Sequence, residues 1–245
     1  MSEEQKDIRL VHGDALKEIA KLPPGSVDCV LTDPPYGSGG ISACARRATP
    51  KNKYAANRTD LPEFEGESMD QRVYAAWAER WMRAARRATK PGGWLYVFSD
   101  WRQYPLMSDC LQLGGWLWQG VIVWDKTNTR AILGKHRQQC EFVLMGTNGQ
   151  GNTGINSTIR QSPPNVWRGI MDYSARLHMT EKPVPLLKHI LQLQATGSLV
   201  LDPFAGSGST LVAARELGLR AIGIEITEHY YNIVRERLSM LSAPL

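Results

Sequence analysis

Short apolar runs alternate along the chain with segments whose apolar residues recur at helical spacing. Ile8-Arg9-Leu10-Val11 reads as a strand, and a helix carried by Leu16, Ile19 and Leu22 stops at Pro23-Pro24. Val27-Asp28-Cys29-Val30-Leu31 follows the Pro23-Pro24-Gly25-Ser26 turn and reads as a buried strand. Ser68 is placed to cap a helix on which Val73, Trp77, Trp81, Ala84 and Ala88 form the apolar stripe, most simply a core face. Pro91-Gly92-Gly93 closes that helix, and Trp94 to Phe98 is the next strand. A helix over Tyr104 to Leu113 leads to strands over Trp116 to Trp124 and Cys140 to Met145. Pro183 opens a helix through Leu186, Leu187, Ile190, Leu191 and Leu193. Leu199-Val200-Leu201 is a strand, Thr210 to Leu217 a helix closed by Gly218, and Arg220 to Ile224 a strand ending on Glu225. A last helix carries Tyr230, Ile233, Val234 and Leu238. This alternation predicts one α/β domain over residues 1–245, with a mostly parallel sheet and helices on both faces.

Two stretches carry neither period. Residues 37–68 are rich in Gly and Arg, and residues 146–177 in Gly, Asn, Ser, Thr and Pro. Loops of this length inside a compact domain are functional or disordered. In the first, Arg46, Arg47, Lys51, Lys53 and Arg58 follow one another with no intervening acid. That run reads as a solvated loop or as a set of phosphate contacts, and its place beside the candidate site described next favours the second. The second stretch spaces out Arg160, Trp167, Arg168 and Arg176. Arg and Asn are side chains that read base edges through paired hydrogen bonds, and the alternative is a surface excursion.

Charge and composition narrow the class. The net charge of +5 and pI of about 9.1 are compatible with a polyanionic partner. Cys29, Cys44, Cys110 and Cys140 show no C-x-x-C spacing, and the five histidines are scattered, so no metal site is indicated and a reducing cytoplasm is expected. No apolar run has the length of a bilayer span, and the acidic, polar N-terminus lacks a secretory pattern.

The candidate chemistry sits at strand ends. The Val27–Leu31 strand stops at Thr32-Asp33-Pro34-Pro35-Tyr36, a carboxylate followed by two residues of fixed φ that donate no hydrogen bond. In open α/β sheets ligands bind at the carboxyl rim of the strands. Leu199–Leu201 ends at Asp202-Pro203-Phe204-Ala205-Gly206-Ser207-Gly208-Ser209-Thr210, a glycine-rich turn entering a helix, and the next strand ends on Glu225. Such a turn lets backbone approach a ligand, and a carboxylate at the neighbouring strand end can hold ribose hydroxyls. A P-loop would need a lysine before Ser209-Thr210, and a pyrophosphate-binding G-x-G-x-x-G would need glycine at Leu211.

Asp33-Pro34-Pro35-Tyr36 resembles the catalytic tetrapeptide of the DNA amino-methyltransferases, and Asp202 to Thr210 resembles their cofactor motif. The order, catalytic motif first and cofactor motif last, is that of the β class. The resemblance covers nearly the whole chain outside 37–68 and 146–177 and implies a Rossmann-like methyltransferase fold. It implies methyl transfer from S-adenosylmethionine (SAM) to adenine N6 in double-stranded DNA. Asp33 favours adenine, because the cytosine-N4 enzymes more often begin this motif with serine. Asp33 and the Pro34 carbonyl would hold the exocyclic amine, with Tyr36 stacked on the base and Pro35 completing the turn. Gly13-Asp14-Ala15 resembles the acidic element that contacts the cofactor adenine, although Asp14 also suits a helix cap. His178 to Pro183 resembles the segment before the cofactor half, in which Lys182 would offer a cation to the methionine carboxylate, its alternative being a solvated helix start. The implied cofactor set is Asp14, Ala15, Asp33, Lys182, Asp202, Phe204, Ala205, Gly206, Ser207, Gly208, Ser209 and Glu225. The implied DNA contacts are Arg46, Arg47, Lys51, Lys53, Arg58, Arg160 and Arg168, with 37–68 as a DNA-contacting loop and 146–177 as the target-recognition segment. A homodimer is expected, because those two stretches alone offer little surface to grip a duplex. The rival functions are cytosine-N4 methylation, an RNA or protein amino-methyltransferase, and a DNA-binding relative that has lost catalysis.

Overall fold

The computed structural model describes residues 7–36, 69–129, 131, 133–150, 162–170 and 181–240. They form eight strands, β1 (Ile8–His12), β2 (Val27–Thr32), β3 (Thr89–Ser99), β4 (Leu117–Asp125), β5 (Cys140–Thr147), β6 (Val166–Arg168), β7 (Leu199–Asp202) and β8 (Arg220–Glu225). The helices are α1 (Ala15–Lys21), α2 (Gln71–Ala88), α3 (Tyr104–Leu113), α4 (Val184–Leu191), α5 (Ser209–Glu216) and α6 (Glu228–Met240).

The strands make one sheet in the order β1-β8-β7-β2-β3-β5-β4-β6. Among the described strands β5 alone runs against its neighbours, so its first residues lie at the rim where the parallel strands end. The sheet is buried on both sides because successive side chains alternate between faces. Val30, Leu95 and Val97 face a core built with α1, α2 and α3. Cys29, Leu31, Tyr96 and Phe98 face a core built with α4, α5 and α6. This is the expected mostly parallel, Rossmann-like arrangement with helices on both faces.

Buried polar groups tie the central strands together. Asp28 accepts the Leu199 N–H at 2.8 Å and pairs with Lys90, fixing the start of β7 against β2. The guanidinium of Arg87 at the end of α2 donates to the Ile19, Ala20 and Leu22 carbonyls, which close α1.

Four local expectations change. The α2 cap is Asp70 rather than Ser68, which lies outside the described residues. The buried stripe of α2 is Tyr74, Ala78, Trp81, Met82, Ala85 and Ala88, while Val73 is exposed. Pro91-Gly92-Gly93 lies inside β3, because Gly92 and Gly93 exchange backbone hydrogen bonds with Asn148 and a Cβ at Gly93 would fall 2.7 Å from the Asp28 carbonyl. Within 146–177, residues 146 and 147 belong to β5, and Val166–Arg168 forms the short edge strand β6 beside β4.

Candidate active site

Both motifs open on the same rim of the sheet, because β2 and β7 are hydrogen-bonded neighbours. Thr32, the last residue of β2, donates its hydroxyl to Asp202 Oδ1 at 2.7 Å, and Asp202 closes β7. The sequence predicts both strand ends; the structure adds the buried bond that joins them. The same Asp202 oxygen accepts the Phe204 N–H at 3.1 Å, which starts the glycine-rich turn. Burial pushes the Asp202 carboxyl up to about 6, against the opposing pull of the Thr32, Thr210 and Phe204 hydrogen bonds.

The turn from Phe204 to Ser209 is shaped by its glycines. Gly206 and Gly208 have φ of 53° and 81°, and a Cβ at Gly208 would fall 2.7 Å from Val234 Cγ1. Ala205 donates its N–H to the Ile224 carbonyl, and Gly206 donates to Glu225 Oε2 at 2.9 Å. Thr227 N–H donates to Glu225 Oε1 at 2.8 Å, so the β8 carboxylate braces the turn from one side. From the other side Arg237 of α6 donates to the Ser207 carbonyl at 3.0 Å and pairs with Glu181 at 2.8 Å, whose carboxylate also accepts from the Ser209 hydroxyl. Phe204 packs between Trp77 and Trp81, with ring centroids 5.3 Å away in each case. Trp77 and Trp81 are therefore core residues beneath the cofactor turn. Asp14 caps α1, its Oδ1 accepting the Lys17 N–H at 3.0 Å, with the buried Ala15 next in line beside the end of β8.

Asp33 stands just past β2 with its side chain one-fifth exposed. Its Oδ1 accepts from the Tyr36 hydroxyl at 2.6 Å and its Oδ2 from Lys182 Nζ at 2.6 Å. The Tyr36 hydroxyl is also 2.6 Å from Glu141 Oε1, and Lys182 Nζ is 2.8 Å from that same oxygen. Lys126, after β4, pairs with the other Glu141 oxygen. Gln103 at the head of α3 donates to the Tyr36 carbonyl at 2.7 Å and fixes the Pro-Pro-Tyr backbone from behind. Burial pushes the Asp33 carboxyl up, Lys182 pulls it down and Glu141 pushes it up, leaving it above the usual range. Burial also raises Glu141, but Lys182 and Lys126 outweigh it and hold that carboxyl low. Tyr36 is raised by burial and by the two carboxylates. Lys182 stays charged because Asp33 and Glu141 overcome the cost of burying its ammonium.

The structure therefore gathers Asp33, Pro34, Pro35, Tyr36 and Lys182 at the β2 rim, and Asp202 to Ser209 with Glu225 beside them. Lys182 is buried, not a solvated helix start, and it faces the Asp33 carboxylate. Arg168 lies on the edge strand with its side chain 73% exposed and its Nε 2.9 Å from Asp125 Oδ2. Arg46, Arg47, Lys51, Lys53, Arg58 and Arg160 lie outside the described residues. The sequence reading missed Glu141, Lys126, Gln103 and Arg237. Glu141 left one trace, a charge inside the otherwise apolar Cys140–Met145 run, and such a residue is buried only when it is paired.

A family profile described as DNA methylase matches residues 27–236, a span that takes in the tetrapeptide, the glycine turn and Glu225. The chain belongs to the DNA methylase family. The chain is a DNA methyltransferase of the group that modifies exocyclic amines. The DNA adenine methyltransferase YhdJ of Escherichia coli strain K12 is 29% identical over 269 aligned residues, covering 95% of this chain and 83% of the relative. The solved M1.HpyAVI–SAM complex has the same fold, with a TM-score of 0.68 at 23% identity over 94% of this chain and 98% of the other. The cytosine-N4-specific PvuII DNA methyltransferase superposes with a TM-score of 0.72 at 16% identity over 94% and 86%. Among the described residues no group of His, Cys, Asp and Glu could hold a metal ion, and no helix is long and apolar enough to cross a membrane.

Proposed function

We propose that this methyltransferase moves the methyl group of SAM to the N6 amine of an adenine turned out of double-stranded DNA. The observation that carries the reading is the coupling of the Asp33 turn to the glycine turn by the Thr32–Asp202 bond, which holds the Asp33 carboxylate beside that turn. The cradle's residues suit SAM. Its glycines admit a ligand close to the backbone, Glu225 and Asp14 are acceptors for hydroxyl and amine donors, and the absence of a P-loop lysine fits a ligand without phosphates. When bound, SAM supplies a methyl group on a positively charged sulfur.

An exocyclic amine is a poor nucleophile while its lone pair is delocalised into the ring. Asp33 and the Pro34 carbonyl accept its two N–H groups, which turns the lone pair out of the ring plane toward the methyl group. A carbon–nitrogen bond forms as the carbon–sulfur bond breaks, its electron pair stays on sulfur, and the methylated nitrogen loses a proton toward Asp33 or solvent. No protein nucleophile is used, and the rate gain comes from positioning and electrostatics. The target must leave the stack because the amine is out of reach within a duplex. Adenine is favoured over cytosine by the aspartate at position 33 and by the adenine-specific name of the YhdJ relative.

In the same reading residues 37–68 follow the DNA backbone with Arg46, Arg47, Lys51, Lys53 and Arg58, while 146–177 reads the target with Arg160 and Arg168. The working unit is a homodimer in a reducing cytoplasm. Asp33→Ala tests the core of the proposal. It is expected to abolish methyl transfer while SAM affinity by calorimetry stays within a few-fold of wild type; turnover near the wild-type rate would remove Asp33 from its role.

A further inference from the structure

Each oxygen of Asp33 faces a donor in this structure. Tyr36 engages one oxygen at 2.6 Å and Lys182 the other at 2.6 Å. An amine that docks there shares the carboxylate with these donors or displaces them, and a displaced donor that stays buried needs another acceptor. Glu141 is placed to absorb both. Its Oε1 lies 2.6 Å from the Tyr36 hydroxyl and 2.8 Å from Lys182 Nζ, so each donor already touches a second carboxylate. Tyr36 has a single hydroxyl proton and serves one carboxylate at a time. Lys126 sits on the far oxygen of Glu141 and offsets its charge.

We propose that Glu141 is a positioning residue for the transfer reaction: it takes over Tyr36 and Lys182 as the target amine engages Asp33. The inference rests on the amine-holding role proposed for Asp33. The charged and titratable groups facing Asp33 are Tyr36 on its own turn, Lys182 at the head of α4, Glu141 on β5 with Lys126 behind it, and Asp202 at the end of β7. Lys182 lowers the Asp33 carboxyl and Glu141 raises it, consistent with their opposite charges at hydrogen-bond range.

The signs give a test that packing alone does not mimic. The ionised form of Asp33 accepts the amine, so the acid limb of the single-turnover rate against pH follows its titration. Glu141→Gln removes the negative neighbour, leaves Lys182 to Asp33 alone, and should move that limb down by at least about one pH unit. Lys182→Met removes the positive neighbour and should move it up by a similar amount. Glu141→Asp retains the charge and should keep the limb near wild type even where the rate falls. At neutral pH Glu141→Gln should lower the single-turnover rate at least about tenfold, since Tyr36 and Lys182 then stay on Asp33, with SAM affinity little changed. Opposite shifts in the two charge variants support the inference. Unmoved limbs, or shifts of the same sign, overturn it, as does a limb in Glu141→Asp displaced as far as in Glu141→Gln. If Glu141→Gln does not fold, Glu141→Ala carries the same test, with the limb again expected to move down and an unmoved limb overturning the inference. Failure of the underlying reading is separable, because there Asp33→Ala itself would turn over near the wild-type rate.

Discussion

Glu225 braces the glycine turn, and the proposed function also gives it the cofactor's hydroxyls to hold. Its oxygens take the N–H groups of Gly206 and Thr227, and its carbonyl takes the Gly13 N–H, so it holds together the glycine turn, the start of α6 and the end of β1. Burial raises its carboxyl against the pull of those hydrogen bonds, so the group sits in a dry place suited to holding a donor from a ligand. Glu225→Ala is expected to weaken SAM binding in the absence of DNA by roughly 1.5–3 kcal/mol, the range for a hydrogen bond to a charged group. Calorimetry returning an unchanged affinity would remove Glu225 from the cofactor site. Glu225 was legible in the sequence because it ends a strand after a glycine turn. Glu141 was not, because it begins a strand, and only the reversed direction of β5 brings a strand start to the functional rim.

At the scale of elements, the parts that could be read were those whose period matches their burial. β2, α3, β7 and β8 each fall within a residue or two of the apolar pattern that announces them. The misreadings come from tertiary context. Pro91-Gly92-Gly93 has the composition of a breaker, yet Asn148 supplies the pairing partners that draw it into β3. β6 spans Val166–Arg168, too short for any alternation to show, and exists because β4 offers it an open edge. The glycine turn before α5 is the element on which the cofactor reading most depends. Gly208 combines a left-handed φ with contact against Val234 of α6, so Gly208→Ala meets both backbone strain and a clash. The strain alone is about 1–2 kcal/mol, and thermal unfolding should show a loss of at least that size together with weaker SAM binding. A variant as stable and as tight-binding as wild type would mean the turn is looser than its geometry here.

At the scale of the molecule, the two halves of the chain meet at the β2–β7 seam, with three of the described helices on each face of the sheet. The catalytic and cofactor motifs lie 169 residues apart in sequence between Asp33 and Asp202, yet Thr32 hydrogen-bonds Asp202 directly. What remains to grip DNA is small. A specific protein–DNA interface buries roughly 1,000–2,500 Å² of protein surface, which favours two subunits on one site. The Trp77 and Trp81 indoles pack around Phe204. Leu113, Leu117 and Trp118, around the α3–β4 connection, are exposed. Sedimentation with and without a target duplex is expected to return the mass of a dimer. A monomer that persists on the duplex during turnover would refute it.

The central claim, transfer of a methyl group from SAM to a DNA amine held by Asp33, meets its most direct test in the product. The protein is incubated with unmethylated duplex DNA and methyl-labelled SAM, the DNA is digested to nucleosides, and the labelled nucleoside is identified. The account predicts label in N6-methyldeoxyadenosine. Label only in N4-methyldeoxycytidine would move the target to cytosine, and no label in DNA, from protein that binds both SAM and duplex, would contradict the account.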